Sequence, residues 1–251
     1  MPKFRTFLIA NIGVIYTLLV LPFCLVYAAL TRRPHCLYSY ARGGFWIGLK
    51  LGGVRLSVTG QEYLDQHPTY LYIANHQSLS DPAALFLSSP HDLRFMVKKE
   101  LWKLPLVNFG MYLAGFVFVD RGSGFKARPS MDVAVNRLRQ GNSFLVFAEG
   151  TRTRDGRLGA FKRGPFLMAI EAGIPILPVS ISGSYQVLSP SSITVRSGTI
   201  HLTFHPSIEM KGKKPKDAVS LMRQVRALIA TRLPGESAVD LAGREVGGDP
   251  E

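Results

Sequence analysis

At 251 residues, 47% of them hydrophobic, the chain can bury one sizeable core, or one core together with a membrane segment. Its 30 Lys and Arg against 17 Asp and Glu give a formal net charge of +13, which points to nucleic acid, an anionic membrane surface or a phosphorylated substrate, or else to a basic surface kept for solubility. The only two cysteines are Cys24 and Cys36, and Cys24 lies inside the first apolar run, so neither a disulfide framework nor a Cys-based metal site is supported, which fits a reducing compartment.

No charged residue occurs from Thr6 to Thr31, and the apolar run there is long enough for a helix to cross about 30 Å of hydrocarbon. Lys3 and Arg5 precede it and Arg32 and Arg33 follow it, so the flanking charge does not orient it. Gly13 and Pro22 both permit a bend, which leaves a spanning helix and a re-entrant one equally open. A cleaved signal peptide ending near Val26-Tyr27-Ala28 is the competing reading, but the run is too long for a usual signal core. A second stretch, FWIGLKLGGVRLSV at 45–58, mixes apolar residues and Trp46 with Lys50 and Arg55, close behind Arg42. It suits either a segment at the lipid interface or a surface helix packed on the domain.

Beyond Gly60 short β-rich runs alternate with helical ones, the pattern of an α/β domain with a mostly parallel central sheet flanked by helices. The predicted strands are VRLSVTG, TYLYIAN, LRFMVKK, GFVFVD, SFLVFAE, IPILPVSISG and TIHLTFHP. Helices are predicted near 82–89, 104–113, 129–140 and 164–172. A last amphipathic helix over 216–232, with Val219, Met222, Val225, Leu228 and Ile229 at helical spacing, is expected to pack on the sheet edge. The tail from Pro234 is rich in glycine and charge and reads as disordered. The expected organisation is a membrane-embedded helical region over 1–58, a catalytic α/β domain over 59–233 and a tail over 234–251.

Chemistry concentrates at the carboxyl ends of predicted strands, where open α/β sheets bind ligands. In IANHQSLSDP at 73–82 a strand ends at Asn75-His76, a polar turn follows, and Asp81-Pro82 opens a helix. On a continuous helix His76 and Asp81 would diverge by about 140°, whereas a strand-turn-helix corner can join them. With Asp81 holding Nδ1, the Nε2 of His76 could take a proton from a hydroxyl. Asp81-Pro82 also fits a plain helix start. Ser78 and Ser80 lack the Gly-x-Ser-x-Gly context of a nucleophile. In VFAEGTRTRDGRLGAFKRG at 146–164 a strand ends at Glu149, a glycine turn follows, and Arg152, Arg154, Arg157, Lys162 and Arg163 come next. Backbone amides with guanidinium groups suit a phosphate, and Glu149 could hold the arginine in place. Arg121 follows a third strand end, and Lys98 and Lys99 follow a fourth. Basic residues interleaved with exposed aromatics, as nucleic-acid binding prefers, are not found.

NHQSLSD at 75–81, FVDR at 118–121, FAEGTR at 147–152 and IPILPV at 174–179 stand in the order and spacing of the four blocks of the glycerolipid acyltransferases. The chain resembles that family, and in particular the 1-acyl-glycerol-3-phosphate acyltransferases, from about Trp46 to about Pro206. The resemblance implies that His76 is a base partnered by Asp81, and that Arg121 with Glu149, Gly150, Thr151 and Arg152 holds the acceptor phosphate. It further implies that the Pro175 and Pro178 block shapes substrate binding, and that Lys98 or Lys99 contacts the oxyanion or the donor. The implied partners are a lysophospholipid, a bilayer, and acyl-CoA or acyl carrier protein as donor substrate. No metal, other cofactor or nucleic acid is implied, and the implied place is the cytoplasmic face of a bacterial inner membrane. Ala148 departs from the family's usual proline.

Overall fold

The computed structural model describes residues 2–119 and 124–235, with side chains described from 128 onward in the second segment. Two helices lead the chain, α1 (Pro2–Thr31) and α2 (His35–Gly52). At 30 residues α1 is about 45 Å long. The pair folds as a hairpin in which Tyr16 stacks on Tyr40 and donates to its carbonyl at 3.0 Å. Gly43 makes this approach possible, because a Cβ there would lie 2.5 Å from the Tyr16 hydroxyl. Cys24 and Cys36 meet across the same hairpin as a disulfide, their Cα atoms 5.3 Å apart. This corrects the expectation that the two cysteines support no disulfide: Cys24 does lie inside the apolar run, but the turn at 32–34 folds one helix back on the other and presents Cys36 to it.

The seven strands appear where the sequence places them: β1 (Val54–Thr59), β2 (Leu71–Ala74), β3 (Arg94–Lys98), β4 (Val117–Val119), β5 (Phe144–Phe147), β6 (Ile176–Ser182) and β7 (Gly198–Phe204). Between and after them come α3 (Asp81–Ser88), a 3-10 helix over Lys99–Lys103, α4 (Val107–Leu113), α5 (Gly124–Arg139), α6 (Gly164–Ala172), the single turn α7 (Ser184–Val187) and α8 (Ala218–Ala230). One sheet runs in the order β1-β7-β6-β2-β5-β3-β4, and only β6 and β7 pair antiparallel. The five strands from β6 to β4 are therefore mutually parallel, and their carboxyl ends share one rim. Domain boundary 58 falls inside β1, which pairs with β7, so the leading helical region stops before Val54.

Helices cover both faces. Leu21, Tyr38, Phe86 and Leu85 from α1 to α3 meet Tyr72, Leu177 and Phe204 on one face, while Val135, Leu138, Phe166, Leu221 and Val225 from α5, α6 and α8 meet Leu71, Phe144 and Ile176 on the other. Strands covered on two sides need no polar face, and β2 and β6 are buried at every position. Truncating Phe144 or Phe204, both fully buried, to Ala costs about 3–5 kcal/mol. Helix α8 packs against β6 and α6. Because β6 is third in the sheet, α8 lies on its face, which corrects the expected edge position. All but the first two residues of the predicted tail lie outside the described residues.

Candidate active site

The corner after β2 is built by hydrogen bonds that reach well beyond it. Asn75 donates Nδ2 to the Ile181 carbonyl and accepts the Ile181 N–H, each at 2.8 Å, clamping the end of β2 to β6. The chain then turns, and Asp81, with no exposed surface, folds its carboxylate back over that turn. Its Oδ2 accepts the Gln77 and Ser78 N–H groups at 2.7 Å each, and meets His76 Nδ1 at 2.8 Å. An oxygen already accepting two backbone donors is an acceptor toward the ring too, which puts the proton of neutral His76 on Nδ1 and leaves Nε2 as a base. Among the described residues none bonds Nε2. Asp81 is thus the first residue of α3, but its carboxylate serves His76 and the turn rather than capping the helix, and Ser80 stands at the cap position.

Phe147, last in β5, stacks on the His76 imidazole with centroids 3.8 Å apart and planes 11° from parallel. The carboxylate at its edge and the arene on one face hold the ring in one orientation, and its side chain remains 12% exposed. Ser78 and Ser80 share a 2.8 Å hydrogen bond, and Ser78 also donates to the Leu188 carbonyl at 2.7 Å. Both serines are buried, so their hydroxyls serve the turn.

Both backbone polar groups of His76 are taken by the neighbouring loop. The His76 N–H donates to Glu149 Oε1 at 2.8 Å, and the His76 carbonyl accepts the Thr153 N–H at 2.9 Å. The second oxygen of Glu149 accepts the Gly159 N–H at 2.9 Å. A Cβ at 159 would sit 2.6 Å from that oxygen, so the contact requires glycine. Glu149 thereby fastens the loop to the backbone of His76. Burial raises its pKa to about 7, against the opposing effect of the two N–H groups. Behind it lies buried Arg226 of α8, whose Nε donates to the Gly159 carbonyl at 3.2 Å. Arg226 is absent from the sequence-derived site, since it reads there as one of several cations off the apolar stripe of α8.

The loop so fixed bounds a cleft of about 580 Å³ lined by Glu149, Thr151, Arg152, Arg154, Arg157 and their neighbours to Ala160. Asp155 is its one other carboxylate, and the Thr153 hydroxyl and Arg157 N–H bond to it. Three guanidinium groups on an open cleft can receive a phosphate, and the loop that carries them is bonded to the His76 backbone. Gly150 turns with φ of 73° and Lys162 packs across it. Lys98 ends β3, exposed and 3.6 Å from Glu100, and Lys99 begins the following 3-10 helix. Since β5 stands between β3 and β2, Lys98 starts about 10 Å from the strand carrying His76. The structure brings neither lysine to the His76–Asp81 pair. Arg121 lies outside the described residues. Pro175 and Pro178 lie at and in β6, with the Pro175 carbonyl accepting the Leu71 N–H at 3.0 Å.

A family profile described as Acyltransferase matches residues 55–182. The chain is 28% identical over 187 residues to a 1-acyl-sn-glycerol-3-phosphate acyltransferase of Borreliella burgdorferi, an alignment covering 74% of this chain and 75% of that protein. It is 30% identical over 182 residues to the alpha form of that enzyme from Ovis aries, covering 72% of this chain and 63% of the ovine one. The crystal structure of the 1-acyl-sn-glycerophosphate acyltransferase PlsC from Thermotoga maritima superposes with a TM-score of 0.72 at 26% identity, over 92% of this chain and 98% of that one.

Proposed function

This chain belongs to the acyltransferase family, and on that premise we propose that it moves a fatty acyl group from acyl-CoA or acyl carrier protein to the free hydroxyl of 1-acyl-glycerol 3-phosphate, forming phosphatidic acid. The observation that carries the reading is the 2.8 Å contact between His76 Nδ1 and a wholly buried Asp81. Nε2 takes the proton of the acceptor hydroxyl as its oxygen attacks the thioester carbonyl. The tetrahedral oxyanion then collapses, the carbon–sulfur bond breaks, and the imidazolium returns its proton to the leaving thiolate. No acyl-enzyme is needed, in keeping with two turn serines whose hydroxyls are already engaged.

Arg152, with Arg154 and Arg157 beside it, holds the acceptor phosphate in the cleft, and the Glu149 and Thr153 contacts keep that cleft at a fixed distance from the base. The acyl donor supplies the only other reactant. The similarity of the chain to enzymes named for this acceptor supports the choice of substrate.

The site works at a bilayer. Helix α1 is long and apolar enough to cross a membrane and exposes Phe7, Leu18, Phe23 and Leu30 along its length. It also packs on the rest of the molecule from end to end: the Thr6 hydroxyl accepts the Val195 N–H at 2.9 Å, and Leu21 and Leu25 lie against Gly110. Its packing along the domain supports the reading in which α1 lies within one leaflet and does not stand across the bilayer. The test is product mass spectrometry with mixed lysophospholipids, glycerol 3-phosphate and both acyl donors. Phosphatidic acid as the main product supports the reading; acylation of another acceptor, or thiol release without lipid acceptor, overturns it.

A further inference from the structure

The segment between β3 and the end of α4 exposes more apolar surface than a wetted surface normally tolerates. Leu101, Trp102, Leu104, Leu106, Phe109 and Tyr112 are each 37–54% exposed, six large apolar side chains within 12 residues. A cluster of that density on a soluble face marks something that covers it. Leu106 is informative because it sits at φ 62°, a backbone state in which glycine is the cheaper residue. Its side chain is 46% exposed, so the core does not account for a leucine there. Lys98, Lys99 and Lys103 border the segment, with Glu100 the one acid among them.

We propose that residues 99–112 form a second lipid-embedded element, which sinks its leucines and Trp102 into the same leaflet as α1 and sets its lysines among anionic head groups. This rests on the membrane reading above. Three observations choose lipid as the occupant. The segment adjoins α1, since Gly110 of α4 packs on Leu21 and Leu25 and Tyr112 lines a cleft with Ala28 and Ala29. Aliphatic residues flanked by Trp, Tyr and Lys match the apolar, interfacial and anionic layers of a bilayer edge. Finally, the segment follows the carboxyl end of β3, on the rim that carries His76. Two embedded elements, α1 and this one, fix how the domain sits on the bilayer, and with it how the rim of the site meets the layer where a lysolipid resides.

The chain has two tryptophans, Trp46 and Trp102, so Trp46→Phe leaves one indole as a local reporter. Trp102 packs edge-on against Phe118 at 4.9 Å and reports on this segment alone. The full-length variant is reconstituted into phosphatidylcholine–phosphatidylglycerol vesicles with or without bromine on the acyl chains, and flotation first establishes that it is bound. The expected result is that brominated lipid removes about half of the Trp102 emission, as for a side chain 5–10 Å below the interface. Leu104→Glu and Leu106→Glu should lower turnover of vesicle-borne acceptor severalfold while preserving turnover of acceptor dispersed in detergent. Floating protein whose Trp102 is not quenched overturns this inference and leaves the embedding of α1 intact. So does crosslinking of the segment to a second copy of the chain. Protein that fails to float sinks the membrane reading itself.

Discussion

The backbone N–H of His76 is bonded to the carboxylate of Glu149, so a residue just beyond the end of β5 positions the one just beyond the end of β2. Thr153 completes the arrangement at the carbonyl of the same residue, and the base moves only if the basic loop moves with it.

Glu149→Gln should therefore loosen this corner. An amide has one oxygen, and both carboxylate oxygens of Glu149 accept backbone donors, so its NH2 would face an N–H of His76 or Gly159. Leaving one buried donor unmatched costs about 1–3 kcal/mol, which denaturant unfolding will read. The pH dependence follows from burial, which raises the Glu149 pKa from 4.5 to about 7. Between those values the folded state keeps a proton that the unfolded state has lost, so this group's contribution falls as pH rises from 4.5 to 7. The wild type should lose stability relative to Glu149→Gln across that window; a constant difference would remove the buried-acid explanation.

His205 acts in the opposite sense. It is buried, its Nε2 is 2.7 Å from Ser180 Oγ, and burial lowers its pKa from 6.5 to about 4, with Arg232 adding to the effect. Below pH 6.5 the unfolded state gains a proton that the folded state refuses, so stability is lost as pH falls toward 4. Thermal unfolding of wild type and His205→Gln over pH 4–7 should show a steeper acid decline in the wild type. Parallel curves would mean that His205 is not the group responsible.

Arg152→Lys keeps the charge but loses the two-pronged grip on phosphate. The expected effect is a fall of about 10- to 100-fold in kcat/KM for the phosphorylated acceptor, carried mainly by KM. KM for the acyl donor should change little. An effect confined to the donor would reassign the cleft to the donor's phosphates.

Much of this was legible before the fold was known, for identifiable reasons. The β-rich runs carry their own period and their own turn residues, so all seven strands were placed to within a few residues. His76 and Asp81 could be paired because a strand-turn-helix corner is the one local shape that joins residues five apart in this way. What the sequence hid depends on contacts between distant segments. Nothing near Cys24 says that α2 doubles back to present Cys36, and nothing near Arg226 says that its guanidinium ends beside Gly159. The burial of Glu149 and its two backbone donors likewise emerge only in three dimensions, since His76 and Gly159 lie 73 and 10 residues away in the chain. The antiparallel entry of β7 beside β6, which turns β1 and β7 against the other five strands, was equally out of reach of local patterning.

The proton acceptor is what the whole mechanism stands on, and His76→Ala isolates it. Purified wild type and variant are compared for thiol release from acyl-CoA in the presence of 1-acyl-glycerol 3-phosphate, with vesicle flotation and thermal unfolding as controls for binding and folding. Loss of the base should slow turnover by about 10²- to 10⁴-fold while flotation and unfolding stay at wild-type values. A folded, vesicle-bound His76→Ala protein that releases thiol at the wild-type rate would show that another group takes the proton, and the assignment of the site would fall with it.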